Sequence, residues 1–257
     1  MKHLFTFALA AIVSLSMGAQ TRYLSTNGES LDMAAIEQTA TPVQLSRILF
    51  AGYNSICLPM TLTAEQLQAV APGVVLERLA AIGQEGTTLN LYFVDCTAEG
   101  LEAGVPYLIR SPRTQTLRVR TDAVAGVSSR LQPVSIADNN GNSVRFASSW
   151  QATSGDGRYG IPAQQTTDEL QSILVCTTAD KTFLPTRCGF TWEARSATAT
   201  QLCIRHAGSA DEVNTAIQGI TTADGSSQPY YDLGGRRHDA PTQRGIYIQQ
   251  GHKSVKR

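Results

Sequence analysis

Short runs of alternating apolar and polar residues decide what this chain can become. Leu117 and Val119 alternate with Arg118 and Arg120, and Leu89, Leu91 and Phe93 alternate with Asn90, Tyr92 and Val94. A period of two sends successive side chains to opposite faces, so each run reads as a strand with one face turned inward. Similar runs occur at Val43–Leu49, Ser55–Leu58, Tyr107–Arg110, Val144–Phe146, Ile173–Cys176, Phe190–Ala194 and Leu202–Arg205. Turn formers separate them, among them Gly52, Pro72-Gly73, Asn140-Gly141 and Gly155-Asp156-Gly157. Helix signals are few. Thr63-Ala-Glu-Gln66 has capping-box form, Leu67 and Val70 follow at helical spacing, and Pro72-Gly73 stops the helix. A second helical turn is predicted over Leu31–Ile36. The expected fold is mainly β: an antiparallel β-sandwich or barrel-like domain with one or two short helices and a C-terminal β-hairpin tail.

Residues 1–19 (MKHLFTFALAAIVSLSMGA) place a basic start before an apolar run from Leu4 to Leu15 and end on small residues. That is the order of a secretory signal peptide, with cleavage expected between Ala19 and Gln20. The run is too short to span a bilayer, and no later stretch of the sequence is long and apolar enough to do so. The rest divides into an N-terminal segment 20–41, a β-rich domain 42–207 that admits a split near residue 123, a small and polar linker 208–229, and a tail 230–257. Lys+Arg and Asp+Glu both number 21, a balance that argues against sequence-independent nucleic-acid binding. The expected location is secreted or at the cell surface.

Export would permit disulfides, and five cysteines are present, so an odd thiol is left over. Cys176 and Cys188 make the natural pair if the segment between them folds back as a hairpin. Cys203 and His206 have metal-ligand spacing, but in a strand, positions three apart face opposite sides, so no metal site is expected. Gly155–Gly160 matches a dinucleotide-binding glycine pattern, yet Pro162 discourages the helix that pattern needs, and the segment reads as a turn. Asp138–Asn142 hints at a calcium loop, and an Asn-Gly hairpin turn explains it more simply.

No catalytic set emerges and no cofactor is expected. His206 is the body's one histidine and reads as an exposed strand end, while His238 and His252 lie in the tail. Among carboxylates, Asp95, Glu99 and Glu102 cluster around what reads as a hairpin turn, with Asp95 and Glu102 the first suspects for a hydrolase. Trp150 and Trp192 would offer stacking faces to a sugar if exposed and would fill the core if buried.

Two stretches carry a resemblance. Arg47, Leu49, Gly52, Asn54, Ser55, Cys57, Leu58 and Pro59, followed by Ala103, Gly104, Pro106, Tyr107, Leu108 and Ile109, resemble a group of secreted Bacteroidetes proteins with an N-S/T-x-C-L-P strand pair and a later A-G-x-P-Y-L-I strand. Met60 stands where that group has Phe. In the tail, Tyr231, Asp232, Leu233, Gly235 and Arg236, then Gly245, Tyr247 and Lys253, look like the end of a type IX secretion sorting domain, with His238 replacing an apolar residue. The first resemblance implies a β-rich extracellular domain with no known activity, and the second implies contact with a secretion machinery. The resulting expectation is a non-catalytic binding or surface-structural protein. The alternatives are a glycan- or host-protein-binding module and a hydrolase using paired carboxylates.

Overall fold

The structure is a computed structural model, and it describes residues 21–38, 41–161 and 171–207 together with the backbone of four strands between 230 and 256. The signal-peptide junction at Ala19 and Gln20, the linker 208–229, and Leu233, Gly235 and Arg236 of the tail lie outside the described residues.

The chain begins with β1 (Arg22–Ser25), α1 (Met33–Glu37), β2 (Val43–Leu49), β3 (Gly52–Ile56), β4 (Met60–Thr61) and α2 (Ala64–Val70). It continues through β5 (Val75–Glu85), β6 (Thr88–Asp95), β7 (Tyr107–Ser111), β8 (Gln115–Arg120) and β9 (Gly126–Val127). Next come β10 (Val134–Ala137), β11 (Ser143–Ser148), β12 (Thr153–Ser154), β13 (Arg158–Gly160), β14 (Gln171–Ile173) and β15 (Val175–Cys176). The body closes with β16 (Thr182–Phe183), β17 (Cys188–Ala194) and β18 (Gln201–Ala207), and the tail holds β19 (Tyr230–Asp232), β20 (Arg237–His238), β21 (Gly245–Gln249) and β22 (His252–Lys256).

The predicted fold class holds: the protein is mainly β and sandwich-like. Its central sheet runs β14-β18-β6-β5-β7-β3. One side of that sheet packs on the three-stranded sheet β1-β2-β8, the other on the five-stranded sheet β10-β11-β17-β13-β15. Two apolar cores result, because the central strands present a side chain to each layer in turn. Leu76, Tyr107 and Ile109 join Leu45, Leu49, Leu117 and Val119 in the first core. Leu79, Leu91, Phe93 and Leu108 join Phe146, Phe190 and Ile204 in the second, where Phe146 and Phe190 stack and Phe93 meets both edge-on. Strands from both sides of residue 123 build the second core.

The local signals behave as chemistry requires. Thr63 Oγ1 accepts from the Gln66 amide and Gln66 Oε1 accepts from the Thr63 amide, so the capping box forms. Asp32 caps α1. The Asn140-Gly141 turn joins β10 to β11 with Gly141 at φ +86°. Asp138 is occupied there, its carboxylate accepting from the backbone amides of Asn140 and Asn142 and from the Asn142 side chain. Gly155–Arg158 is a turn closed by the Arg158 amide on the Gly155 carbonyl.

Two expectations change. Cys176 and Cys188 are not bridged, and both thiols are free. In the sheet, β13 lies between β17 and β15 and Cys176 is level with Phe190, two residues past Cys188, so the two cysteines stand further apart than two strand spacings, roughly 9–10 Å, beyond disulfide reach. The run at Ile173–Cys176 is not one strand. Leu174 turns into the second core while Gln171–Ile173 pairs with the central sheet and Val175–Cys176 with its neighbour.

Candidate functional site

Three places gather polar or aromatic groups in a way that packing alone does not demand. The first joins the sheets. Arg47 projects from β2 and is 5% exposed. Its guanidinium donates to Thr186 Oγ1 (2.7 Å) and to the Ser55 carbonyl (2.6 Å). Burial, with Arg187 nearby, pulls its pKa down to about 10, because the charged form has lost its hydration. Ser55 continues the latch: its Oγ donates to the Cys188 carbonyl and accepts from the Cys188 amide, both at 2.9 Å. The Cys57 amide bonds the Thr186 carbonyl at 2.9 Å. Thr186 sits at φ +67°, costly backbone for a residue with a β-branched side chain, and these bonds hold it there. Asn54 closes the β2–β3 turn, accepting from the Phe50 amide and donating to the Phe50 and Gly52 carbonyls. Arg47, Gly52, Asn54, Ser55 and Cys57 are therefore scaffold chemistry.

The second place is at one end of the second core. His206 is not the exposed strand end the sequence suggested. Its side chain is 10% exposed and its Nδ1 lies 2.7 Å from Oε2 of Glu77, itself 8% exposed. The Tyr53 ring stacks on the imidazole at 4.2 Å and 11°. β3 and β18 stand four strand positions apart in one sheet, roughly 19 Å if that sheet were flat. The ring contact shows that the sheet curls until its ends nearly meet. A histidine oriented by a carboxylate has the form of a general base, but Nε2 is buried with no protein hydrogen-bond partner and is closed to substrate. The Glu77–His206–Tyr53 group works as a clamp on the curled sheet.

The carboxylates of the proposed hydrolase pair are engaged locally. The segment after β6 is not a hairpin turn, because β5 lies between β6 and β7. Asp95 accepts from the Thr97 amide, Glu99 faces Arg78 at 3.3 Å, and Glu102 accepts from the Gln132 side chain. The two tryptophans are half-buried. Trp150 packs against both cores and donates to the Ser129 carbonyl at 2.6 Å. Trp192 packs on the second core with Tyr159 at its edge and the Arg195 guanidinium 4.1 Å above its ring. An open hollow of about 180 Å³ beside Gly104, Leu131, Arg145 and Ser148 is smaller than ligand pockets usually are.

The third place is a surface. On the outer sheet, β2 buries Val43, Leu45, Arg47 and Leu49 and turns Gln44, Ser46 and Ile48 outward. In register, Gln44 lies between Tyr23 and Arg120, Ser46 between Ser25 and Arg118, and Ile48 beside Thr116. Tyr23 is 71% exposed and Phe50, just past β2, is 59% exposed. Arg120 is held by both carboxylate oxygens of Asp122, at 3.0 and 2.7 Å. Sequence reading missed this face, since alternation tells that β2 has an outer side but not that an aromatic on β1 joins it. In the tail, Tyr231 and Asp232 lie on β19, Gly245 and Tyr247 on β21 and Lys253 on β22, within an antiparallel sheet of order β20-β19-β21-β22.

No protein-family model, curated protein or solved structure matches this chain.

Proposed function

We propose that the chain is an exported, non-catalytic β-protein of the cell surface that works by binding, and that the outer face of β1-β2-β8 is its contact surface. The observation that carries this reading is the exposure of Tyr23 and Phe50 at the two ends of one sheet face, with guanidinium groups between them. Exposed aromatic rings pay for their hydrophobic cost only when something covers them, and they are the residues that dominate contact energies. The leader pattern at 1–19 and the sorting-like tail support export. The occluded Nε2 of His206 and the locally engaged carboxylates support the absence of catalysis.

Two measurements test it. Labelling of intact cells with a membrane-impermeant reagent should modify the protein, and a pool reached only after lysis would end the surface assignment. On a glycan array, the double variant Tyr23→Ala, Phe50→Ala should lose binding by about tenfold or more while keeping its fold. Unchanged binding would remove this face as the contact surface.

A further inference from the structure

Resting on that reading, we infer that the occupant of the β1-β2-β8 face is an anionic polysaccharide, a sugar chain bearing sulfate or carboxylate groups. The charge pattern is the argument. On this face β8 supplies Arg118 and Arg120, in a protein whose net charge is zero. The outward positions of the three strands hold Tyr23, Ser25, Gln44, Ser46, Ile48, Thr116, Arg118 and Arg120, with no carboxylate among them. Arg120 is already paired with Asp122. Arg118 is exposed and has no ion pair among the described residues, and Ser46 stands opposite it. A planar guanidinium left over on the edge strand of such a face, level with Ser46, matches a sulfate or carboxylate in a two-point contact.

The rest of the face suits sugar. Gln44, Ser46 and Thr116 supply uncharged donors and acceptors for hydroxyl groups, and Tyr23 and Phe50 offer flat apolar rings at either end. The row from Gln44 to Phe50 runs roughly 20 Å, which an extended chain can follow and a compact ligand cannot fill. A nucleic acid would also meet Arg118, but oligothymidylate lacks the rows of ring hydroxyls that Gln44, Ser46 and Thr116 are placed to bond.

The test is titration calorimetry of the leaderless chain against dextran sulfate and against neutral dextran, two polymers with one backbone. Dextran sulfate should bind and weaken with added salt, and dextran should not bind. Arg118→Gln should weaken binding about tenfold, while Arg145→Gln, an exposed arginine on β11, should leave it unchanged. Equal binding of the two dextrans would overturn the anionic assignment and leave the contact face standing. Equal losses in the two arginine variants would reduce the effect to bulk charge and overturn it too. Equal affinity for oligothymidylate, or dimer formation through this face in sedimentation, would replace the polysaccharide with another occupant. Array binding that depends on Tyr23, without any binding of dextran sulfate, would overturn this inference alone.

Discussion

Raising the pH from about 8 to about 10 will cost this protein a large part of its folding stability. Cys57, Cys96 and Cys188 are buried in the two cores. Loss of hydration pushes Cys57 and Cys96 from the ordinary 9.0 up to about 12 and Cys188 well above its ordinary range. In each case the folded value exceeds the unfolded one, so folding favours the protonated thiol. That contribution is whole below pH 9 and is lost as the pH climbs toward 12, because the unfolded chain ionises first. One pH unit above 9, each thiol costs on the order of 1 kcal/mol, and three together cost a few kcal/mol. Domains of this size hold only about 5–15 kcal/mol in all. Arg47 acts in the opposite sense, its folded value of about 10 lying below its ordinary 12.5, but it begins to contribute only above that pH. Urea midpoints measured between pH 8 and 10 should therefore fall, mostly above pH 9, and Cys57→Ala should remove about a third of that fall. A midpoint that stays flat over that range would refute the account.

Gly104→Ala will be among the most damaging single changes in the molecule. Gly104 sits at φ +79°, and a Cβ there would lie 1.9 Å from the Arg130 carbonyl oxygen. The Gly104 amide bonds the Leu58 carbonyl, and its own carbonyl accepts from Gln132. Neither backbone can yield without breaking a bond, so a loss of about 3–5 kcal/mol is expected in chemical denaturation. Gly86→Ala separates the causes: φ is +59° but nothing lies within 4 Å of the added carbon, so only backbone strain of about 1–2 kcal/mol applies. Similar losses in the two variants would show that collision at Gly104 is not the reason.

Much of this architecture was readable because the signals are local. β2, β6, β8 and the capping box at Thr63 rest on side chains a few residues apart. The longest strand, Val75–Glu85, was not anticipated, and its bulge between Leu79 and Ala81 gives the reason. The extra residue shifts the alternation by one, so Leu79 and Ile82, three apart, enter the same core and the period of two disappears from the sequence. Distance in the chain defeats the reading elsewhere. His206 meets Glu77 across 129 residues, and no pattern near either announces the other. The tryptophans are the largest rings, yet Trp150 is wedged between cores while Tyr23 and Phe50 are left bare. Ring size is written in the sequence; which ring stays uncovered depends on which strands become neighbours.

The seat of β18 carries a further consequence. It lies between β14 and β6 and runs parallel to β6, matching Gln201 with Thr88 through Ala207 with Val94. Those partners are more than a hundred residues apart, so while the polypeptide is being made, β6 keeps a bare edge until nearly the whole body has emerged. Such long-range pairing slows folding, because loop closure must be paid for before the ladder can zip. If the chain is exported as proposed, that delay would help it through a translocation channel, which takes unfolded chains: its own topology would postpone the commitment that would jam its passage.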